Sequence, residues 1–445
     1  MTATAVSQGM PRAHAPVRPT ARAHDALFAG FLFYTFVGVH PLADASASAR
    51  VDGSLGDRLA VMGLFALALV VLGSRWERGL VCLTSNPGQI FIVGFALFSA
   101  IWSDFPDLTA RRALLLIFLT TIVLALAAGV EDMRRFHSFL FLALTLIVGA
   151  NLAACAVIPT RAISEIGANG LYAQKNVAGI VAMIATIVGF GWLLGAQSLH
   201  SVLRGAIALG LIVAFLILTR SKTSIDLTLV GLTLMAFFAF AERFGPRFIL
   251  AALSMSLLAA AALLASFAAV DFDAHHALKV VMSDTSFTGR DQLWAFALDE
   301  AQKRYWWGHG YGAFWDVGYA NDPILRVETG SWLASTEVGV INQAHNGYLE
   351  LWLELGLPVT IVATVTLLKA IGVGGYRAIF GGGSRQDRAA VGALAMLLLL
   401  HVLHNFTEAT LFMRGMAFSS VVALALFLLA LPPKPFVAPA ERQIL

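Results

Sequence analysis

Residues 113–130 read ALLLIFLTTIVLALAAGV, an apolar run long enough to cross the hydrocarbon core of a membrane as one helix. Similar runs recur along the chain. With 58% hydrophobic residues, 13% charged residues and a mean hydropathy of +0.77, the composition excludes an ordinary soluble globular protein. Because polar residues do not alternate with apolar ones inside the runs, the pattern favours membrane-spanning helices over the strands of a barrel.

The spacing of these runs predicts an all-α polytopic membrane protein with about twelve transmembrane helices and one long periplasmic loop that contains short helices. We expect a cytoplasmic tail at 1–25, because this segment is basic and lacks the apolar core of a signal peptide. The other expected parts are helices 1–9 in residues 26–270, the loop in 271–345, helices 10–12 in 346–431 and a cytoplasmic tail in 432–445.

Under this arrangement, basic residues also gather at helix ends on the outer side, where translocation disfavours them. They are Arg111, Arg112, Lys175, Arg220, Lys222 and Arg414, with Arg290 in the loop. Each one alone could extend its charged end toward lipid headgroups. Taken together, they predict a cationic rim suited to an anionic headgroup such as a prenyl diphosphate, and no nucleic acid partner is expected.

A helix is expected near the centre of the loop, with Thr288 as its N-cap and Arg290 in its first turn. The helix dipole disfavours a cation in the first turn, so a partner must hold Arg290 there. Two kinds of partner stay open. One is an anion such as a phosphate, and the other is a salt bridge with Asp284 or Asp291.

The spacing of this loop helix predicts that Trp294 and Leu298 pack against the transmembrane helices. Its solvent-facing side should carry Asp299, Glu300, Lys303 and Arg304. The GHGYG sequence at 308–312 comes next and predicts a helix end with a tight turn. It does not indicate a dinucleotide site, because it follows a helix instead of a strand.

His345 directly precedes a predicted transmembrane helix in which Asn346, Glu350 and Glu354 recur every four residues on one face. Carboxylates this close to the bilayer must face protein or a water-filled cavity. A neutral imidazole can accept a proton from a hydroxyl group, which makes His345 a candidate general base. A hydrogen bond to a backbone carbonyl is the alternative for His345, and a structural pairing with Arg or Lys is the alternative for the two glutamates.

Two further polar segments lie at outer helix ends. Residues 219–224 read TRSKTS and alternate hydroxyl groups with the cations Arg220 and Lys222, a composition that suits oxyanions. Residues 172–176 read YAQKN and add Lys175 and Asn176 to the same rim. The alternative for both segments is a polar hairpin whose side chains cap the neighbouring helices.

These segments, in this order, resemble the O-antigen ligase and polysaccharide polymerase superfamily of bacterial membrane glycosyltransferases, and most of all its exopolysaccharide polymerase branch. The resemblance runs along most of the chain. It rests on QKN at 174–176, RSKTS at 220–224, TGR at 288–290 with Trp294, GHGYG at 308–312 with Phe314, and HNGYLE at 345–350 with Gly356.

The resemblance implies transfer of a glycan from an undecaprenyl diphosphate carrier to a sugar hydroxyl at the periplasmic face of the inner membrane, without metal, nucleotide sugar or other cofactor. It implies that Arg220 and Arg290 hold the diphosphate and that His345 is the catalytic base. Charge placement adds the substrate-binding candidates Arg111, Arg112 and Lys175, and the polar segments add Asn176, Lys222, Asn346 and Glu350. The implied partners are the lipid-linked oligosaccharide donor, a glycan acceptor and membrane lipids, with a chain-length regulator and a flippase as further candidates.

Three alternatives stay open at this point. A ligase would attach finished glycan to a lipid A core, and the sequence does not identify the acceptor. A transporter or flippase for lipid-linked oligosaccharides would need charges along a path across the membrane, whereas the ionisable residues here gather at the outer boundary. A scaffold for polysaccharide assembly would leave the Arg and His residues individually dispensable.

Overall fold

The computed structural model describes residues 19–39, 54–241, 290–327 and 333–431, together with 244, 245, 247, 248, 251, 254, 255 and 258. The described chain is an all-α polytopic membrane protein, as the composition predicts. Its only described strands are β1 (Ile163–Ser164) and β2 (Gly167–Ala168), which pair antiparallel after a single helical turn at Pro159–Ala162.

The longer helices of the described residues are numbered here in chain order. They are α1 (Pro19–Phe36), α2 (Leu55–Ser74), α3 (Trp76–Ser85), α4 (Pro87–Phe98), α5 (Pro106–Gly129), α6 (Met133–Val157), α7 (Lys175–Gly195), α8 (Leu199–Thr219), α9 (Lys222–Ala241), α10 (Arg290–Lys303), α11 (Gly347–Leu355), α12 (Leu357–Phe380), α13 (Arg385–His404) and α14 (Ala417–Ala430).

Eight described helices are long and apolar enough to cross a membrane: α2, α5, α6, α7, α8, α9, α12 and α13. α3 and α4 together form one further candidate, bent by 87°. The helix α14 is apolar but has 14 residues. The predicted span Phe248–Val270 lies mostly outside the described residues, and 1–18, 271–289 and 432–445 lie wholly outside them, so a total of about twelve spans stays a prediction.

α5, α7 and α13 are buried along most of their length and form the centre of the bundle. Glycines on α7 allow its neighbours to approach closely, as small residues commonly do between membrane helices. A Cβ at Gly191 would lie 2.8 Å from the Cβ of Ala393, and one at Gly195 would lie 3.2 Å from the Cα of Gln386. The end of α7 therefore meets the beginning of α13, and the two helices run antiparallel.

The described part of the long loop has a hydrophobic cluster of its own, which joins α10, the turn after it and α11. Its members include Leu293, Ala297, Phe314, Trp315 and Leu353. Gly308 has φ +67° and donates its N–H to the carbonyl of Arg304, so 308–312 is the predicted helix end and tight turn. This part of the loop is folded against the bundle and positions the residues that precede α11.

The buried face of α10 differs from the predicted one. Leu298 is 40% exposed, whereas Glu300 is 2% exposed and lies on the inner side. Lys303 and Arg326 each contact a different carboxylate oxygen of Glu300 at 2.7 Å. These ion pairs stabilise the charge in its buried position, and a hydrophobic pattern does not reveal them. The predicted N-cap Thr288 lies outside the described residues.

The helix predicted to run from residue 346 into the membrane is interrupted. Gly356 lies between α11 and α12 with φ +84°. The position requires glycine, because a Cβ here would collide with the carbonyl of Trp306. Glu350 and Glu354 therefore lie on a helix of nine residues that precedes the span.

Candidate active site

His345 and Arg290 lie next to each other because both contact the carboxylate of Glu408. Nδ1 of His345 is 3.1 Å from Oε2 of Glu408, and Nη2 of Arg290 is 3.3 Å from Oε1 of the same group. Arg290 also donates from Nη1 to the carbonyl of Thr407 at 2.8 Å. We call these three residues the His345 cluster: His345 and Arg290 from the loop, and Glu408 from the connection between α13 and α14.

Glu408 answers the question of what holds Arg290 at the first turn of α10. This partner was not among the carboxylates considered from the sequence, Asp284 and Asp291. It is a carboxylate 118 residues further along the chain, at a different helix connection. Asp284 lies outside the described residues. Since Arg290 is 28% exposed at its side chain, it keeps a face toward solvent while it is paired.

The charge state of Glu408 follows from its surroundings. Burial raises the pKa of this carboxyl, but the hydrogen bond from His345 and the positive charge of Arg290 outweigh burial and lower the pKa below the usual 4.5. Glu408 is therefore ionised at neutral pH and accepts a hydrogen bond from Nδ1–H of His345. The proton on Nδ1 fixes the tautomer and turns Nε2 into a proton acceptor. Among the described residues, Nε2 forms no hydrogen bond.

The backbone of His345 is unusual. Its φ is +51°, in the left-handed region that residues other than glycine seldom adopt. Such strain is costly and persists where the surrounding structure imposes it, often at functional sites. The next residue, Asn346, accepts hydrogen bonds on Oδ1 from the N–H groups of Tyr348 and Leu349 at 3.1 Å, so it is the N-cap of α11. Its predicted role in substrate binding stays a prediction.

A second cationic group lies where α8 meets α9. We call Lys175, Asn176, Arg220 and Ser221 the Arg220 turn. Nζ of Lys175 donates to the carbonyls of Ile166 at 3.1 Å and Arg220 at 3.4 Å, and Ser221 Oγ is 3.4 Å from Asn176 Oδ1. Arg220 has φ +51° and an exposed side chain that forms no hydrogen bond or ion pair within the described ranges.

The Arg220 turn and the His345 cluster lie at the same end of the bundle. Because α7 and α13 run antiparallel, the beginning of α7 at Lys175 is level with the end of α13 at His404, four residues before Glu408. Lys175 and Arg220 therefore lie at the same end of the helices as Arg290, and the wider cationic rim stays a prediction. The two groups come from different helix connections, so each forms a separate part of the candidate site.

Arg112 has a different environment from the open rim position predicted for it. Its side chain is buried, and its guanidinium donates to the carbonyls of Gly312, Trp315 and Asp316. These bonds attach the loop to α5 and use donors that a diphosphate would need. Arg111, one residue earlier, is exposed, and so is Lys222 at the start of α9. Their predicted contacts with substrate stay predictions.

Glu350, predicted as a substrate ligand, faces the protein interior. It is 3% exposed, and its Oε2 accepts hydrogen bonds from Trp315 Nε1 at 3.1 Å and from the N–H of Ala344 at 2.6 Å. Glu354, one turn later, is also buried. Burial raises the pKa of both carboxyls, and their proximity raises that of Glu350 further. The sequence left open whether this face meets a cavity or protein, and it meets protein.

Glu408 is the site residue that the sequence analysis missed. It lies in HNFTEAT at 404–410, a polar segment between two apolar helices. That interruption was a usable signal, because polar residues at a helix boundary are candidates for function. Within the described ranges, no three His, Cys, Asp or Glu side chains are arranged to hold a metal ion.

Part of the chain is similar to a known protein family. Residues 206–364 match the family model of the O-antigen ligases. No curated protein matches the chain. The matched range contains Arg220, Arg290 and His345, and it ends before Glu408, which the fold brings to the other two cluster residues. This match supports the resemblance to the O-antigen ligase and polysaccharide polymerase superfamily over that part of the chain.

Proposed function

We propose that this membrane glycosyltransferase moves a glycan from an undecaprenyl-diphosphate-linked oligosaccharide to a hydroxyl group of another sugar, and that repeated transfer builds an exopolysaccharide at the periplasmic face of the inner membrane. The observation that carries the proposal is the carboxylate of Glu408, which is shared by an imidazole and a guanidinium. One group suits proton removal and the other suits an anionic leaving group, and a single carboxylate orients both.

In this mechanism, the acceptor hydroxyl donates to Nε2 of His345. Its oxygen attacks the anomeric carbon, the bond between that carbon and the diphosphate oxygen breaks, and the hydroxyl proton passes to Nε2. Glu408 then stabilises the imidazolium through Nδ1–H, as a carboxylate does in hydrolytic triads. Attack from the face opposite the diphosphate inverts the anomeric centre, and linkage analysis of the product checks this point.

The leaving diphosphate needs positive charge as the bond breaks. Arg290 offers a planar fork that matches two phosphate oxygens at once, and Arg220 offers a second guanidinium at the same end of the bundle. Diphosphate is a good leaving group, so the protein has mainly to stabilise its charge and to orient the acceptor. In the proposal these arginines and His345 supply both functions.

The family description favours a second candidate, a ligase that transfers finished glycan to a lipid A core. Both candidates use the same donor and the same chemistry, and they differ in the acceptor. A transporter or a scaffold finds less support, because neither requires an imidazole and a guanidinium that share one carboxylate.

The test uses the full-length protein in lipid nanodiscs with a diphosphate-linked oligosaccharide, a metal chelator and no nucleotide. The glycan is analysed as a gel ladder for wild type, Arg290→Ala and the control Arg326→Ala. Arg326 is an arginine of the same loop that pairs with Glu300. We expect a ladder from wild type and the control and none from Arg290→Ala.

Other results separate the alternatives. A single product that forms when lipid A core is added, without a ladder, identifies a ligase. If wild type forms no product with either acceptor, the enzymatic proposal is refuted and transport or assembly takes its place.

A further inference from the structure

Both backbone polar groups of Ala344, the residue before His345, are hydrogen-bonded to side chains. The N–H of Ala344 donates to Glu350 Oε2 at 2.6 Å, and the carbonyl of Ala344 accepts from Nε1 of Trp294 at 3.0 Å. Ala344 itself is fully buried. Since Trp294 belongs to α10 and Glu350 to α11, two helices hold the residue that immediately precedes the strained His345.

The chain after His345 is fixed as well. The N–H of Gly347 donates to the carbonyl of Asn405 at 2.8 Å, three residues before Glu408. A side chain at Gly347 would collide with Asn405. His345, with its left-handed backbone, therefore lies between two residues whose backbone groups are hydrogen-bonded to other parts of the protein.

Glu350 has no geometry for a substrate ligand. A single oxygen, Oε2, receives both Ala344 N–H and Trp315 Nε1–H, and the residue is 3% exposed. The backbone carbonyl of Trp315 is in turn held by Arg112 at 3.1 Å. A continuous series of contacts thus runs from α5 through the loop to the backbone of His345.

We propose that Glu350 is a positioning residue, which holds the backbone of His345 in its left-handed conformation and does so through an acceptor oxygen rather than through negative charge. Trp294 holds the carbonyl of the same residue, Ala344, in the peptide group that joins Ala344 to His345. The role of Glu350 in transfer rests on the proposed function, while its effect on the imidazole does not. A displacement of about 1 Å at a reacting group can cost roughly 100-fold in rate, so such anchoring matters for a base.

The acceptor oxygen and the charge are separated by two substitutions at one position. Glu350→Gln keeps an oxygen that can accept both hydrogen bonds and removes the charge. Glu350→Met keeps a side chain of similar length and removes both the acceptor oxygen and the negative charge. Glu354→Gln is the matched control, because it removes a buried carboxylate one turn away on the same helix. Trp294→Phe removes the donor to the backbone carbonyl of Ala344 without a change at Glu350.

Two measurements are made on each variant in nanodiscs. The first is kcat and the donor KM of glycan transfer. The second is the rate at which diethyl pyrocarbonate modifies His345, read by peptide mass spectrometry against the exposed His200 as internal standard. This second measurement reports how accessible and reactive the His345 imidazole is, whether or not the chain has transferase activity.

We expect Glu350→Met to lower kcat by about 100-fold with the donor KM unchanged, and to change the relative modification rate of His345. Trp294→Phe should do the same to a smaller extent, and it replaces Glu350→Met as the test if that variant does not fold. Glu350→Gln and Glu354→Gln should resemble wild type in both measurements.

The proposal is overturned if Glu350→Gln is as impaired as Glu350→Met, since the charge would then be required. An effect of Glu350→Met on the donor KM alone would also overturn it, because that result identifies a substrate ligand. If wild type shows no transfer, the proposed function fails separately, and the modification rates still decide whether Glu350 positions His345.

Discussion

The His345 cluster and the Arg220 turn resemble each other in backbone and differ in how their side chains are held. His345 and Arg220 both have φ +51°, and both lie at the boundary of a helix. The imidazole is fixed by Glu408 and flanked by anchored peptide groups, whereas the guanidinium of Arg220 is exposed and unpaired among the described residues. A base needs a fixed direction, and a cation that meets a substrate headgroup needs access and reach.

The largest effect on activity should come from a substitution of His345, whose side chain is held by Glu408. We expect His345→Gln to lower kcat by roughly 10²- to 10⁴-fold, the usual contribution of a general base, with the donor KM little changed. Steady-state kinetics in nanodiscs measure both constants, and His200→Gln on the exposed start of α8 is the control. A rise in the donor KM at constant kcat would mean that His345 binds the donor and is not the base. The His345 cluster and the Arg220 turn would then have the same role.

The next effect concerns the two arginines. A charge-assisted hydrogen bond contributes about 1.5–3 kcal/mol, so Arg220→Ala should raise the donor KM about 10- to 100-fold. Arg220→Lys should recover much of the affinity, because an exposed side chain needs only to bring a positive charge. Arg290→Lys should recover little, because the guanidinium fork contacts Thr407 and Glu408 at the same time.

Equal rescue of both arginines by lysine would contradict this comparison. It would mean that the pairing of Arg290 with Glu408 contributes no required geometry. The measurement is the donor KM of the four variants Arg220→Ala, Arg220→Lys, Arg290→Ala and Arg290→Lys, determined in the same lipid.

The smallest effect is on stability. The pKa of Glu408 is lowered in the folded protein, so its contribution to stability is present above the unfolded value near 4.5 and is lost as pH falls through the folded value. Glu408→Gln lacks this contribution. We therefore expect its melting temperature to be below that of wild type at neutral pH, and the difference to shrink below pH 4.5. A difference that is independent of pH would show that the ionised carboxylate is not what stabilises the cluster.

The sequence could predict the membrane class and the helix at α10, because these depend on local composition. It also singled out His345, Arg290 and Arg220, whose roles stay predictions. It could not predict their partners. Glu408 is 63 residues from His345 and 118 from Arg290, and hydropathy says nothing about which helix ends meet.

The same limit explains the residues whose surroundings differ from the prediction. Arg112 and Glu350 have the polarity of rim residues, but loop carbonyls and backbone N–H groups satisfy them inside the protein. Glu300 was expected on the solvent-facing side of α10 and is buried, because ion pairs from two other residues reach it. In each case a long-range polar contact overrides the local pattern.

The shared carboxylate also has a consequence for the order of events. When a proton arrives on His345, the imidazolium competes with Arg290 for Glu408, and the guanidinium becomes more available to the departing diphosphate. Proton uptake and retention of the diphosphate product are then linked, and linkage is reciprocal. In the proposed reaction, release of the spent lipid diphosphate, and with it turnover, would then depend on how quickly His345 returns its proton to water.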